Sequence, residues 1–331
     1  MSSSNTPGSR TSRIFRPRLA AVAATALLGA TALAGCGDDG GAAAAAGDRL
    51  GVVAAFYPLQ FVAERVGGDA VSVTNLVKPG AEPHDLELNP QQVGQLTDAR
   101  LVVYLKGFQP AVDEAVAQNN PDRAFDASTA VPLLTATESA HSHEEGEEEH
   151  AEEEEAAEGG SDPHLWLDPT RLATVADAVA AKLGEADPGH AADFTARAAA
   201  LRTELTALDA EFTAGLKTCE RREIVTSHTA FAYLAERYQL EQIGISGIST
   251  EDEPSPQRLA EVAAEAKEHG ATTIFFETLV SPKLAETIAQ EVGAKAAVLD
   301  PIEGLADGAS GDYFTVMRTN LTSLKAALGC S

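Results

Sequence analysis

From Arg49 onward, apolar residues alternate between short β-rich runs and longer stretches with helical spacing. RLGVVAAF reads as a strand, PLQFVAERVG as a helix stopped by its glycine, VSVTNLV as a strand, NPQQVGQLTDA as a helix and RLVVYL as a strand. A second series follows Cys219: EIVTS, TAFAYLAERY, LEQIGIS, SPQRLAEVAAEAKEHG, TTIFFE, SPKLAETIAQEVG and KAAVLD. Alternation of strand and helix predicts parallel sheets with helical crossovers. The expected fold class is therefore α/β, with two lobes that are each a parallel-type sheet with flanking helices.

The lobes, 49–187 and 218–331, are separated by an alanine- and leucine-rich stretch that shows no strand pattern. Asp187 stands as its N-cap and Pro188 at its first helical position, so 188–217 reads as one long helix. At 1.5 Å per residue it would run roughly 40 Å. A rigid spine of this kind permits only modest closure of the lobes on one another.

The first 36 residues have a different character. Arg10, Arg13, Arg16 and Arg18 form a cationic start, and LAAVAATALLGATALAG is apolar and built of small residues. This pattern exports a protein. It ends in LAGC, Leu33 to Cys36, which resembles a bacterial lipoprotein processing box and marks Cys36 as the lipidated first residue of the mature chain. Residues 37–48 have no periodicity and read as a flexible tether. Export leaves Cys219 and Cys330 as an even pair in an oxidising compartment, where a disulfide is the expectation.

The formal charge of −26 argues against nucleic acid as a partner and favours small cations. Ten of the acids lie between Glu144 and Glu158, inside an insertion at 138–162 that also carries His141, His143 and His150. Such a run buries too little surface to fold alone, which predicts a mobile segment holding metal loosely, as accessory low-affinity sites.

Other histidines sit where chemistry gathers. His84 lies in a Pro- and Gly-punctuated loop after a predicted strand, His164 just before Asp168 and Pro169 open a helix, and His228 between a strand and a helix. Asp300 ends a strand in the same manner. Ligands of open α/β sheets bind beyond the carboxyl ends of strands, so these four side chains could converge in the cleft between the lobes. Their separations of 80, 64 and 72 residues match no local zinc motif. Taken singly, a histidine after a strand is more often a capping or hydrogen-bonding residue than a metal ligand.

Together, PGAEPHDLELNP, DPHLWLDP, TSHTAFAYLAERY and FFETLVSPKLAETIAQEVGAKAAVLDPIEG resemble, in content and order, the signature segments of the zinc-binding solute-binding proteins of ABC importers, the ZnuA-like family. The resemblance covers nearly everything from Arg49 onward. It implies that His84, His164 and His228 bind the metal, with an acid at Asp300 completing the site in several members. Others use an acid immediately before the first histidine; here that place holds Pro83, which leaves Asp300 or a water as the fourth ligand. The implied partners are Zn2+, an ABC permease with its ATPase subunit, and the membrane through the lipid on Cys36. A monomer is expected.

Donor chemistry favours zinc, since three imidazoles and one carboxylate form a nitrogen-rich four-coordinate set, whereas manganese prefers more oxygen. Two further readings share the fold implied: a binding protein for manganese or another divalent ion, and a metal-dependent adhesin. A zinc hydrolase is the rival class, because three histidines with an open fourth position would activate water. The chain has neither an HExxH helix nor a Ser or Cys nucleophile motif, and a closing carboxylate would block that position.

Overall fold

The computed structural model describes residues 49–135, 160–250 and 253–331. The expected export segment with Cys36, the tether at 37–48 and the loop histidines His141, His143 and His150 lie outside the described residues. The first lobe runs β1 (Leu50–Ala54), α1 (Tyr57–Gly67), β2 (Val71–Asn75), α2 (Pro90–Asp98), β3 (Leu101–Tyr104), α3 (Pro110–Asn119) and β4 (Ala124–Asp126). Two helices follow, α4 (Pro169–Ala186) and α5 (Ala191–Gly215). The second lobe runs β5 (Glu223–Thr226), α6 (Ala232–Tyr238), β6 (Glu241–Gly244), α7 (Pro256–Glu268), β7 (Thr273–Phe276), α8 (Lys283–Val292), β8 (Lys295–Val298) and α9 (Tyr313–Leu328).

Local sequence explains the boundaries. A proline stands in the first turn of α1, α2, α3, α4 and α7, where its missing N–H costs nothing. Asn89 and Gln92 form a reciprocal capping box at the start of α2, and Asp168 accepts from the backbone of Thr170 and Arg171 to start α4. The two sheets are parallel throughout and share one topology, with strand orders β2-β1-β3-β4 and β6-β5-β7-β8. Each has its topological switch between its first and third strands, so the crevice beyond the carboxyl ends of β1 and β3, and of β5 and β7, is the natural ligand position.

The expected spine is α5, shortened at its start. Asp187 accepts from the Gly189 N–H at 3.2 Å and pairs with His190 Nδ1 at 2.6 Å, which holds Pro188–His190 as a 3-10 turn before the α-helix begins. Phe194, Ala198, Leu201, Leu205, Leu208 and Phe212 then form one buried stripe at spacings of three and four residues. Flanking the stripe, Glu204 and Glu211 on one side and Asp209 on the other pair with Arg65 of α1, Arg318 of α9 and Arg237 of α6. These pairs are largely exposed and orient the neighbouring helices more than they stabilise them.

One apolar core runs from β1 through α1, α4 and α5 to Phe231, Leu299, Ile302, Tyr313 and Leu328, so the lobes share an interior. A smaller core, Val225, Ile243, Val262, Ile274 and Ile288 among others, fills the second lobe between its sheet and α7 and α8. The Cys219–Cys330 disulfide joins the exit of the spine to the end of α9. Among the described residues no helix is long and apolar enough to cross a membrane.

Candidate metal centre

His84, His164, His228 and Glu303 each present one donor atom, and the four atoms lie within 4.8 Å of one another. The Oε1 of Glu303 stands 3.4 Å from His84 Nε2, 3.1 Å from His164 Nε2 and 3.2 Å from His228 Nε2. Ligands held about 2.0–2.1 Å from a tetrahedral zinc stand roughly 3.3 Å apart, so these three separations are of the size a tetrahedron requires. His164, His228 and Glu303 are buried, while His84 retains slight exposure.

Each donor is placed by the chain around it. His84 hangs from the loop after β2, where Phe108 packs edge-on to its ring and buried Gln109 donates to the Pro83 carbonyl. His164 follows Asp162, whose backbone is stitched to Leu134 by the Asp162 N–H and to Tyr233 of the second lobe by the tyrosine hydroxyl. After it, Trp166 donates its indole N–H to the Pro301 carbonyl at 2.6 Å. His228 lies two residues beyond β5, and Glu277 lies directly beyond β7, so the pair faces across the switch point of the second sheet.

Two imidazoles have fixed ring orientations. His164 Nδ1 meets Asp162 Oδ1 at 2.8 Å, and His228 Nδ1 meets Glu277 Oε1 at 2.5 Å, with the Ser227 hydroxyl on the same oxygen. A neutral imidazole that donates from Nδ1 leaves a bare lone pair on Nε2. Two such lone pairs facing one carboxylate oxygen call for a positive charge between them, either a metal ion or protons on the rings. The second oxygen of Glu303 is also buried, with no hydrogen-bond partner among the described residues.

Titration behaviour follows from this crowding. Burial disfavours the charged form of His164 and His228, but the charges and hydrogen bonds of Asp162 and Glu277, with Glu303 behind them, outweigh it and raise both rings above the usual histidine value. Burial opposes the Glu303 charge too, yet its bonds to the three histidines hold it well below the carboxylate range. Burial, then the Glu303 charge, push Glu82 up to about 8. The ion-free rings of His164 and His228 thus keep protons to higher pH than a free histidine, and metal must displace them. Zinc affinity is expected to fall as pH drops, with the fall beginning above the free histidine value of ~6.5 because both shifts are upward. Calorimetry in buffers of different ionisation enthalpy should show net proton release; a pH-independent affinity with no release would contradict histidine ligation.

The expected fourth donor, Asp300, is not in the cluster, and Glu303 takes that place. Asp300 is occupied otherwise: Oδ1 accepts from the Ile302 N–H and Oδ2 from the Thr278 hydroxyl, each at 2.7 Å. Buried Asn320 clamps its backbone N–H and carbonyl. Beyond it Ile302 takes a positive φ of 59°, a costly conformation for a β-branched residue, and this turn points Glu303 inward. The carboxylates behind the rings, Asp162 and Glu277, were not assigned from the sequence, although each stands inside a segment that carried the resemblance. A carboxylate two residues before a histidine, with proline between, was the available signal at Asp162.

Residues 52–327 match the family model described as the periplasmic zinc-uptake complex component A, ZnuA. The chain is 36% identical over 286 residues to the zinc-binding protein AdcA of Streptococcus pyogenes serotype M3, an alignment covering 84% of this chain and 56% of that protein. It therefore spans little more than half the length of the streptococcal relative. It is 34% identical to the high-affinity zinc uptake system protein ZnuA of Bacillus subtilis, over 89% of this chain and 93% of that one. Among solved structures it resembles the laminin-binding protein Lmb of Streptococcus agalactiae, described as bifunctional with adhesin and metal-transporting activity. The TM-score is 0.72 at 34% identity, covering 84% of this chain and 99% of that one.

Proposed function

The chain belongs to the ZnuA family of zinc-uptake components, and from that membership we propose that it captures Zn2+ outside the cytoplasmic membrane and delivers it to an ABC permease driven by its ATPase subunit. His84 and His164 from the first lobe and His228 and Glu303 from the second hold the ion. The observation that carries this reading is the convergence of three imidazole nitrogens on one carboxylate oxygen in a buried pocket. No bond in the cargo is made or broken. Because the ligands come in pairs from the two lobes, release to the permease requires the pairs to be drawn apart. Cys36 supplies the lipid anchor, and the insertion with His141, His143 and His150 gathers ions weakly before they reach the tight site.

A hydrolytic reading fits poorly, since a catalytic zinc keeps one position for water and the Glu303 carboxylate stands in the fourth place. Manganese fits poorly against so nitrogen-rich a donor set. Metal analysis of protein purified without added metal, with competition against Mn2+ and a chelator, tests the proposal. One tight zinc per chain is expected; a chain that retains manganese in preference would overturn it. Deleting 138–159 should leave that tight site in place and remove only weak binding.

The likeness to a laminin-binding structure with adhesin activity supports a second role in attachment. Immobilised laminin that fails to retain the zinc-loaded protein would dispose of it.

A further inference from the structure

The three imidazoles of the centre are served unequally. His164 and His228 each pass Nδ1 to a carboxylate, whereas His84 makes contacts through its backbone N–H, its Nε2 and its ring face, with none to Nδ1 among the described residues. A metal-bound imidazole needs such an acceptor, which fixes the tautomer and strengthens the ligating nitrogen.

The local chain repeats itself at two of the histidines. Glu82 precedes His84 by two residues with Pro83 between, and Asp162 precedes His164 by two with Pro163 between. Both acids accept the backbone N–H of their histidine, Glu82 Oε1 at 3.1 Å and Asp162 Oδ1 at 2.9 Å. The intervening proline, with φ locked near about −65°, holds a short turn in which the acid bends back onto the histidine. Asp162 serves the ring with the same oxygen that takes the backbone N–H. Glu82 has one more methylene, and its second oxygen is buried with no hydrogen-bond partner among the described residues.

We propose that Glu82 is the positioning residue of His84, its second carboxylate oxygen accepting the His84 Nδ1–H in the zinc-loaded protein. Each imidazole of the site is then backed by its own carboxylate: Glu82 for His84, Asp162 for His164 and Glu277 for His228. The inference rests on the reading of His84 as a zinc ligand.

Three substitutions, used singly and in one combination, and one spectroscopic measurement test it. Glu82→Gln keeps an oxygen able to cap the His84 N–H but withdraws the charge, so a residue that only caps the loop would be rescued by glutamine. A residue that orients and polarises the ring would not. Zinc affinity by chelator competition is expected to fall on the order of 10-fold in Glu82→Gln and further in Glu82→Leu, within the 10–100-fold range of such partners. In the zinc-loaded protein the His84 ring N–H proton should resonate downfield, like those of His164 and His228, and move upfield in Glu82→Gln. In a His84→Ala background the Glu82→Gln change should have little further effect. Wild-type affinity together with an unshifted His84 ring proton in Glu82→Gln would overturn the proposal. If His84→Ala alone leaves zinc affinity intact, the assignment of His84 as a ligand falls instead.

Discussion

Glu303→Ala is expected to lower zinc affinity more than ~100-fold, because loss of a group one step removed from a metal already costs about 10–100-fold. The substitution removes the single oxygen that approaches all three imidazoles. Removing its charge also eases proton competition at His164 and His228, which offsets a part of that loss. Asp300→Ala should cost less, since Asp300 acts by holding the Ile302 N–H and the Thr278 hydroxyl. Chelator-competition titration of both variants compares them directly. An Asp300→Ala loss equal to or larger than that of Glu303→Ala would return the fourth position to Asp300. His228→Ala should match Glu303→Ala, being equally buried and equally close to the centre of the cluster.

Replacing Cys219 and Cys330 by serine is the change expected to cost the most stability. The bridge closes a sequence separation of 111 residues, for which loop-closure entropy in the unfolded chain corresponds to up to ~4–5 kcal/mol. Hydrogen bonds already pin the same junction: Glu220 and Arg221 donate to the Leu328 carbonyl, and Ser331 to that of Thr218. The native geometry should therefore survive without the bridge, and the effect should fall on the unfolded ensemble. Urea denaturation of oxidised wild type and the double variant measures it. A difference below ~1 kcal/mol would mean that the reduced chain retains structure linking these ends, contrary to the chain-entropy account.

The architecture was legible because strand and helix periods differ and prolines mark the helix starts. The strands from β1 to β3 and from β5 to β8 fall within the runs read from the sequence, each shorter by a residue or more where the run continues into a loop. The short strand β4 was not read, since three residues carry no period. The histidines were legible through their position after strands and through family resemblance. The fourth donor was not, because a strand-end rule selects Asp300, while a backbone turn at Ile302 with positive φ delivers Glu303 from three residues further on. An aspartate before proline is itself a warning: its short side chain tends to be captured by the N–H two residues ahead, as Asp300 is by Ile302. The longer glutamate that follows is left free to reach inward.

The chain contains one tryptophan, and its position turns the site into an optical gauge. Trp166 is buried against Phe56 and Phe108, its indole N–H bonds the segment that carries Glu303, and its ring centroid lies 5.3 Å from that of His164. A protonated imidazole at that range quenches indole emission, whereas a metal-bound one carries no ring proton on the ligating nitrogen. Loading with a spectroscopically silent d10 ion such as zinc should therefore brighten emission from the native protein, and a quenching paramagnetic ion in the same pocket should darken it. One unlabelled chromophore would then report both the occupancy of the centre and the kind of ion in it.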